Sequence, residues 1–310
     1  MLVKFKNLIQ KNFKTIIKFK VHQLIKRNNI KEFMKKTSAF SLIELSIVIL
    51  IIGILVAGVT QSSRLVKQFR LQTARQLTTN SPVNTISNLA FWIESIQTGS
   101  FQESEASEGA SVTSWIDVNK ITTQKATTTL AGVAPIYRQS AINSLPAVQF
   151  NGNGCFYINH VNIVSTTQKT FFAVFLETGK NSASGTYLYD NFIVPPQFAF
   201  ILTTSFQGQI FGGSSVVAGS IPLNKPHILT VVHNTGSSFF RVNGTESPRA
   251  NSGGNIMGNV TRLGGGGCTY VFDTFYGYIG EFIIFDRVLK PDEYIDVENY
   301  LSKKWGIKLN

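Results

Sequence analysis

The chain has 310 residues, 43% hydrophobic and 12% aromatic with 24 Phe, but only 15% charged, which excludes bulk disorder. With 25 Gly, 9 Pro and 2 Cys it is not collagen-like, low-complexity or a disulfide scaffold. The net charge of +12 is concentrated at one end: residues 1–39 hold eleven Lys or Arg against Glu32 alone, whereas residues 80–310 hold 14 basic and 15 acidic groups. Such a tail bears on its own partner, and the near-neutral remainder has no electrostatic footprint for a phosphate backbone, so nucleic acid is not an expected partner.

In chain order, residues 1–39 form a basic leader in which Leu2, Phe5, Leu8, Phe13 and Ile16 alternate with lysines, the pattern of an amphipathic surface segment. Met34 offers an alternative start. Phe40 to Val59 are twenty residues in which only Ser41, Glu44 and Ser46 are polar. As a helix this run is about 30 Å long, the thickness of a bilayer core. A buried soluble helix is a poor reading for so uniform a run. Val56-Ala57-Gly58 could pass as a signal-peptide cleavage site, and a plain anchor also fits. Glu44 separates these readings. A carboxylate in a membrane helix costs roughly 2.5–3.5 kcal/mol near the centre and less near an end, so a partner is expected.

Lys35-Lys36-Thr37-Ser38-Ala39, then Phe40-Ser41-Leu42-Ile43-Glu44-Leu45 and an unbroken apolar stretch, resembles the N-terminus of type IV prepilins and pseudopilins. The resemblance implies a cut between Ala39 and Phe40 by prepilin peptidase and N-methylation of Phe40. It also implies that Glu44 pairs with the terminal amine of a neighbouring subunit during assembly. Ala39 stands where the family usually has Gly. The basic leader against four basic residues over Arg64–Arg75 favours a cytoplasmic N-terminus. With a Met34 start the asymmetry vanishes and orientation rests on the resemblance, which implies a single pass through a bacterial inner membrane and a C-terminal domain in the periplasm or on a surface filament.

Thr60 to Thr79 lacks Pro and Gly and keeps apolar residues at near-helical intervals, so a transmembrane and stalk helix is expected over 40–79. Asn80-Ser81-Pro82 stops it. From about Asn84 the chain breaks into short apolar or alternating runs separated by Gly, Asn, Ser and Pro, the signature of an all-β domain over 84–310. Strands are expected at Ala147–Phe150, Cys155–Ile163, Thr170–Glu177, Gln197–Thr204, His227–Asn234, Ser237–Asn243 and Gly277–Asp286. Turns are expected at Asn151-Gly152, Asn243-Gly244 and Gly264–Gly267.

Trp115-Ile116-Asp117, Leu145–Gly152, His227–Val232, Phe240–Gly244, Tyr278–Arg287 and the closing Leu289-Lys290-Pro291-Asp292-Glu293 segment, in that order, resemble the laminin-G-like, concanavalin A-like jelly roll. That implies two packed antiparallel sheets, often with a carbohydrate- or matrix-binding face and sometimes calcium. A calcium site needs converging oxygen ligands, and the acids here are scattered, with Asp117, Asp190 and Asp273 read as turn or surface residues. No cofactor is expected. Glycan-cutting relatives need two carboxylates at fixed separation, whereas Glu281 and Asp286 fall on opposite faces of a regular strand, so no enzyme is expected. Structural histidines fit His160, His227 and His233.

Trp92, Trp115 and Trp305 are expected in the core. Phe171, Phe172, Phe175, Phe239, Phe240, Phe282 and Phe285 mostly alternate like sandwich interiors. Tyr187, Tyr189, Tyr270, Tyr276 and Tyr278 lie near Gly-rich loops and are candidates for a sugar-stacking platform. Cys155 and Cys268 would form a disulfide or stay as two buried thiols. The expectation is thus a minor pilin-like subunit or pseudopilin of a type IV pilus or type II secretion filament, with an adhesive, glycan- or protein-binding head. A purely structural pseudopilin and a membrane-anchored jelly-roll hydrolase are the alternatives. Partners would be prepilin peptidase, other pilin subunits and the inner membrane.

Overall fold

With no proline to interrupt it, the N-terminal helix runs Leu42–Thr79, 38 residues. Leu42, Ile47, Ile51, Leu55 and Val59 stand exposed along it. Its apolar part is long enough to cross a membrane, and none of that window is buried by the described residues. The helix ends where Asn80 and Ser81 lead into a 3-10 turn at Pro82–Asn84. Asn84 Nδ2 donates to the last carbonyls, of Thr78 at 3.2 Å and Thr79 at 3.0 Å, groups that helix ends leave without partners. The computed structural model describes residues 41–120, 127–159, 168–179, 185–191, 199–202, 207–254, 260–265 and 274–310. Two units divide the chain, Met1–Arg64 and Leu65–Asn310.

The second unit carries β1 (Leu89–Glu94), β2 (Thr127–Gly132), β3 (Ile136–Ile142), β4 (Leu145–Asn151), β5 (Gly154–Asn159), β6 (Gln168–Gly179), β7 (Thr186–Asn191) and β8 (Ala199–Leu202). Next come β9 (Gln207–Phe211), β10 (Ser215–Ser220), β11 (Pro226–Asn234), β12 (Phe239–Val242), β13 (Thr245–Glu246), β14 (Val260–Leu263), β15 (Tyr276–Phe285) and a C-terminal helix, Pro291–Trp305. One sheet runs β13-β12-β11-β6-β15-β4-β3, with β1 also on β15; the other runs β10-β9-β8-β7-β14-β5-β2. All the strand pairs among the described residues are antiparallel, giving the two-sheet sandwich expected of the jelly-roll class.

β15 organises the first sheet. β6 runs along one side of it, while on the other side β4 pairs with Tyr276–Ile279 and β1 pairs with Glu281–Phe285. The change of partner falls at a register shift between Ile279 and Glu281, on Gly280. Ser95 Oγ closes this seam, 2.6 Å from the carbonyl of Pro146 and 3.0 Å from that of Gly280. A Cβ on Gly280 would lie 2.4 Å from the Trp305 ring, so only glycine allows this approach. At Asn243-Gly244 both residues take positive φ, 48° and 85°, as a primed hairpin turn requires. At Asn151-Gly152 it is Gly152 that has positive φ, 78°.

Strand alternation buries both faces of this sheet. Phe171, Phe175, Phe240 and Phe282 point between the sheets with Trp115 and Tyr189. Phe172, Phe239 and Phe285 point to the other side, where the C-terminal helix and the last turns of the long helix cover them with Trp92, Trp305 and Ala74. The alternation read from the sequence is present, but it serves two cores rather than one sandwich interior. An all-round apolar central strand is what burial on both faces demands.

Candidate functional site

At the start of the long helix, Ser41 and Glu44 cap it reciprocally. The Ser41 N–H donates to Glu44 Oε2 at 3.1 Å, and the Ile43 N–H donates to Ser41 Oγ at 3.3 Å. This is the Ser-x-x-Glu capping pattern, and it sets a carboxylate on the positive end of the helix dipole. Glu44 is therefore held at the Ser41 N–H, one residue along the sequence from Phe40. Ala39, Phe40 and the leader fall outside the described residues.

The second unit holds a sealed ionic cluster under the C-terminal helix. Glu94 and Glu281 face each other across β1 and β15. Lys304 reaches between them, with Nζ 2.9 Å from Glu94 Oε2 and 2.8 Å from Glu281 Oε2. Glu281 also accepts from Trp92 Nε1, Trp305 Nε1 and the Tyr300 hydroxyl, at 2.7–2.8 Å. Glu94 accepts from the N–H groups of Ile96 and Gln97 and from Ser100 Oγ. Burial, with the neighbouring carboxylates, pushes the Tyr300 hydroxyl well above its usual range, so it remains a donor. The long helix joins through Thr78 Oγ1, 3.4 Å from the Tyr300 hydroxyl, and through Arg75 Nε, 2.9 Å from the carbonyl of Ile96.

Positions 94, 281 and 304 have no common spacing, so sequence reading could not bring them together. The paired acids of a glycosidase must flank an open bond-binding cleft, and this pair is closed to solvent and held by a lysine. Glu281 and Asp286 do lie on opposite sides: Glu281 joins Trp92 and Trp305, whereas Asp286 contacts Lys169.

Beside the cluster is a cavity of about 260 Å³ lined by Thr78, Trp92, Gln97, Asp117, Val118 and Lys120. It lies just below the roughly 300–1,000 Å³ of ordinary ligand clefts. Trp92 is buried and committed by its N–H to Glu281, so it offers no open face for stacking.

Several expected residues stand elsewhere. Asp117 and Asp190 are buried rather than on the surface. Asp117 Oδ1 accepts the N–H groups of Trp92 and Asn119, and Asp190 holds Arg262 through two bonds of 2.6 and 2.9 Å. A buried carboxylate is tolerated when donors replace its water, and sequence does not reveal such donors. Tyr189 lies in the inner core, so it cannot be part of an open sugar platform. Tyr276 folds over Gly152, where a Cβ would meet its ring at 2.2 Å, and Tyr278 packs against the outer core. His227 Nε2 lies 3.0 Å from the Pro222 carbonyl, and His233 Nδ1 lies 2.9 Å from Ser252 Oγ. Cys155 is buried and disulfide-bonded. Cys268, His160, Tyr270 and Asp273 fall outside the described residues. Among the described residues, no three of His, Cys, Asp and Glu converge as a metal site would need.

Residues 34–60 match the prokaryotic N-terminal methylation motif. The matched segment contains Ala39, Phe40 and Glu44, and covers the start of the apolar helix. No curated protein matches the chain. The fold is similar to domain 4 of AbnA, an extracellular arabinanase from Geobacillus stearothermophilus in complex with arabinotriose, at 16% identity and TM-score 0.44, covering 68% of this chain and 98% of that one. It is also similar to Trypanosoma rangeli sialidase in complex with difluorosialic acid, at 12% identity and TM-score 0.47, covering 70% of this chain. The similarity spans only 33% of the sialidase.

Proposed function

We propose that this chain is a minor pilin-like subunit or pseudopilin of a type IV pilus or type II secretion filament. Prepilin peptidase cuts it between Ala39 and Phe40, and Phe40 is then N-methylated. The apolar helix holds it in the inner membrane as a single pass and enters the filament with other subunits. The laminin-G-like head stands on the periplasmic or outer side and binds a glycan or protein surface without catalysing a reaction.

The observation that carries this reading is the methylation motif with Glu44 at the start of a helix whose apolar window none of the described residues buries. In the isolated chain Glu44 satisfies itself on the Ser41 N–H, a contact that costs little to exchange for the amine of a neighbouring subunit. Glu44→Gln keeps the length and the cap but removes the charge that would attract that amine. Expressed in the native cell, the variant should accumulate in the inner membrane and be lost from sheared filaments. Wild-type recovery of Glu44→Gln in filaments would overturn the role of Glu44.

A further inference from the structure

We propose that Lys169 and Asp286 condense to an intramolecular isopeptide bond that staples β6 to the chain leaving β15. The two meet at the end of the first sheet. Thr170 pairs with Phe285 and His233 pairs with Lys169, so one row crosses the sheet in the order His233, Lys169, Asp286. By strand alternation this row shares the face of Phe171, Val231 and Ile284, which point between the sheets. Lys169 Nζ is in direct contact with Asp286 Oδ1, and their side chains are 0% and 8% exposed.

Both backbones are clamped. Thr170 Oγ1 donates to the Arg287 carbonyl and accepts the Leu289 N–H, each at 2.9 Å, and the Asp286 N–H donates to the Asn88 carbonyl at 2.9 Å. Fixing two reacting groups in contact removes most of the entropic cost of bringing them together. Burial pulls the Lys169 ammonium below its usual range, against the opposing pull of Asp286, which favours the neutral, nucleophilic amine.

The bond changes balance without any added reagent. One proton passes from Lys169 Nζ to the Asp286 carboxylate, giving an amine and a carboxylic acid. The nitrogen lone pair attacks Cγ, forming the Nζ–Cγ bond. A second proton leaves the nitrogen and reaches the departing oxygen; the Cγ–Oδ bond breaks and one water is released. His233 is the base placed to relay that second proton: it is buried beside Lys169 in the row, with its Nδ1 on the Ser252–Ser238 hydroxyl pair. The product replaces a desolvated ion pair with a neutral amide. A staple at Lys169 suits a subunit under load, since β1, the first strand after the long helix, pairs with β15.

The test is peptide mapping by mass spectrometry of the full chain, purified from membranes, then reduced and denatured. The expected result is one branched peptide containing Lys169 and Asp286, lighter than its two linear parts by one water, and replaced by linear peptides in Lys169→Arg. Linear peptides alone from folded wild-type protein would overturn the proposal and leave the contact an ion pair. His233→Ala, checked for folding by tryptophan fluorescence, should slow cross-linking at least tenfold; wild-type rates would remove His233 from the mechanism.

Discussion

Replacing Lys304 with Met tests whether the sealed cluster holds the C-terminal helix to the sheet. The side chain is fully buried and Met has similar length, so the change removes the charge with little change in packing. Two charge-assisted bonds, at 2.9 and 2.8 Å, disappear, and Glu94 and Glu281 are left facing each other without a cation. Breaking a buried ion pair from one side costs about 3–5 kcal/mol. The six other donors on these carboxylates remain, which puts the expected loss near the lower end, about 3 kcal/mol. Adding Glu281→Gln restores the original net charge of the cluster and should recover at least about 1 kcal/mol of that loss, a coupling expected of residues in contact. The assay is urea unfolding of the full chain in detergent, followed by the fluorescence of Trp92 and Trp305, which both border the cluster. A Lys304→Met protein within about 0.5 kcal/mol of wild type, the size of an ordinary surface substitution, would refute the reasoning.

Gly280→Ala should destabilise by roughly 1–3 kcal/mol, because the new methyl would overlap the Trp305 ring; the same urea titration checks it. Glu293 pairs with Arg287 at 2.6 Å and accepts the Lys290 N–H, and the Arg287 hydrogen bond leads in holding its carboxyl down at about 2. Its folded value lies below its unfolded one, so its contribution is present above the ordinary carboxylate range and is lost as pH falls toward 2. Glu293→Gln should therefore cost about 1 kcal/mol at pH 7, a cost that fades as pH falls through about 2, read from thermal melts across pH. We also propose that Cys155 is bonded to Cys268; Cys155→Ser should lower stability by about 2–4 kcal/mol under non-reducing conditions and change nothing once wild type is reduced.

The long helix was legible because its signals are local: twenty nearly unbroken apolar residues, then Asn80-Ser81-Pro82 at the observed end. The central strands β4, β6, β11 and β15 were legible for the same reason, as short apolar runs bounded by Asn-Gly and similar turns. β1 carries Trp92, yet nothing in Leu89–Glu94 says that it takes over from β4 along β15. That exchange depends on the Gly280 bulge, and a lone glycine in a strand does not name its partner. The cluster of Glu94, Glu281 and Lys304 and the row of His233, Lys169 and Asp286 were hidden for a related reason. Each joins residues far apart in sequence, and a buried charge looks like a surface one until its partners are placed. Tyr189 was misjudged because closeness to glycine-rich loops does not fix which way a strand residue points, and this one points inward.

The central claim is that the N-terminal segment is processed and assembled as a pilin. Mass spectrometry of the mature N-terminus, on protein taken from the membrane and surface fractions of the native cell, tests it most directly. The account predicts a chain that begins at N-methylated Phe40. A chain that still begins at Met1 or Met34 would contradict it, leaving the apolar helix a plain anchor for the β domain.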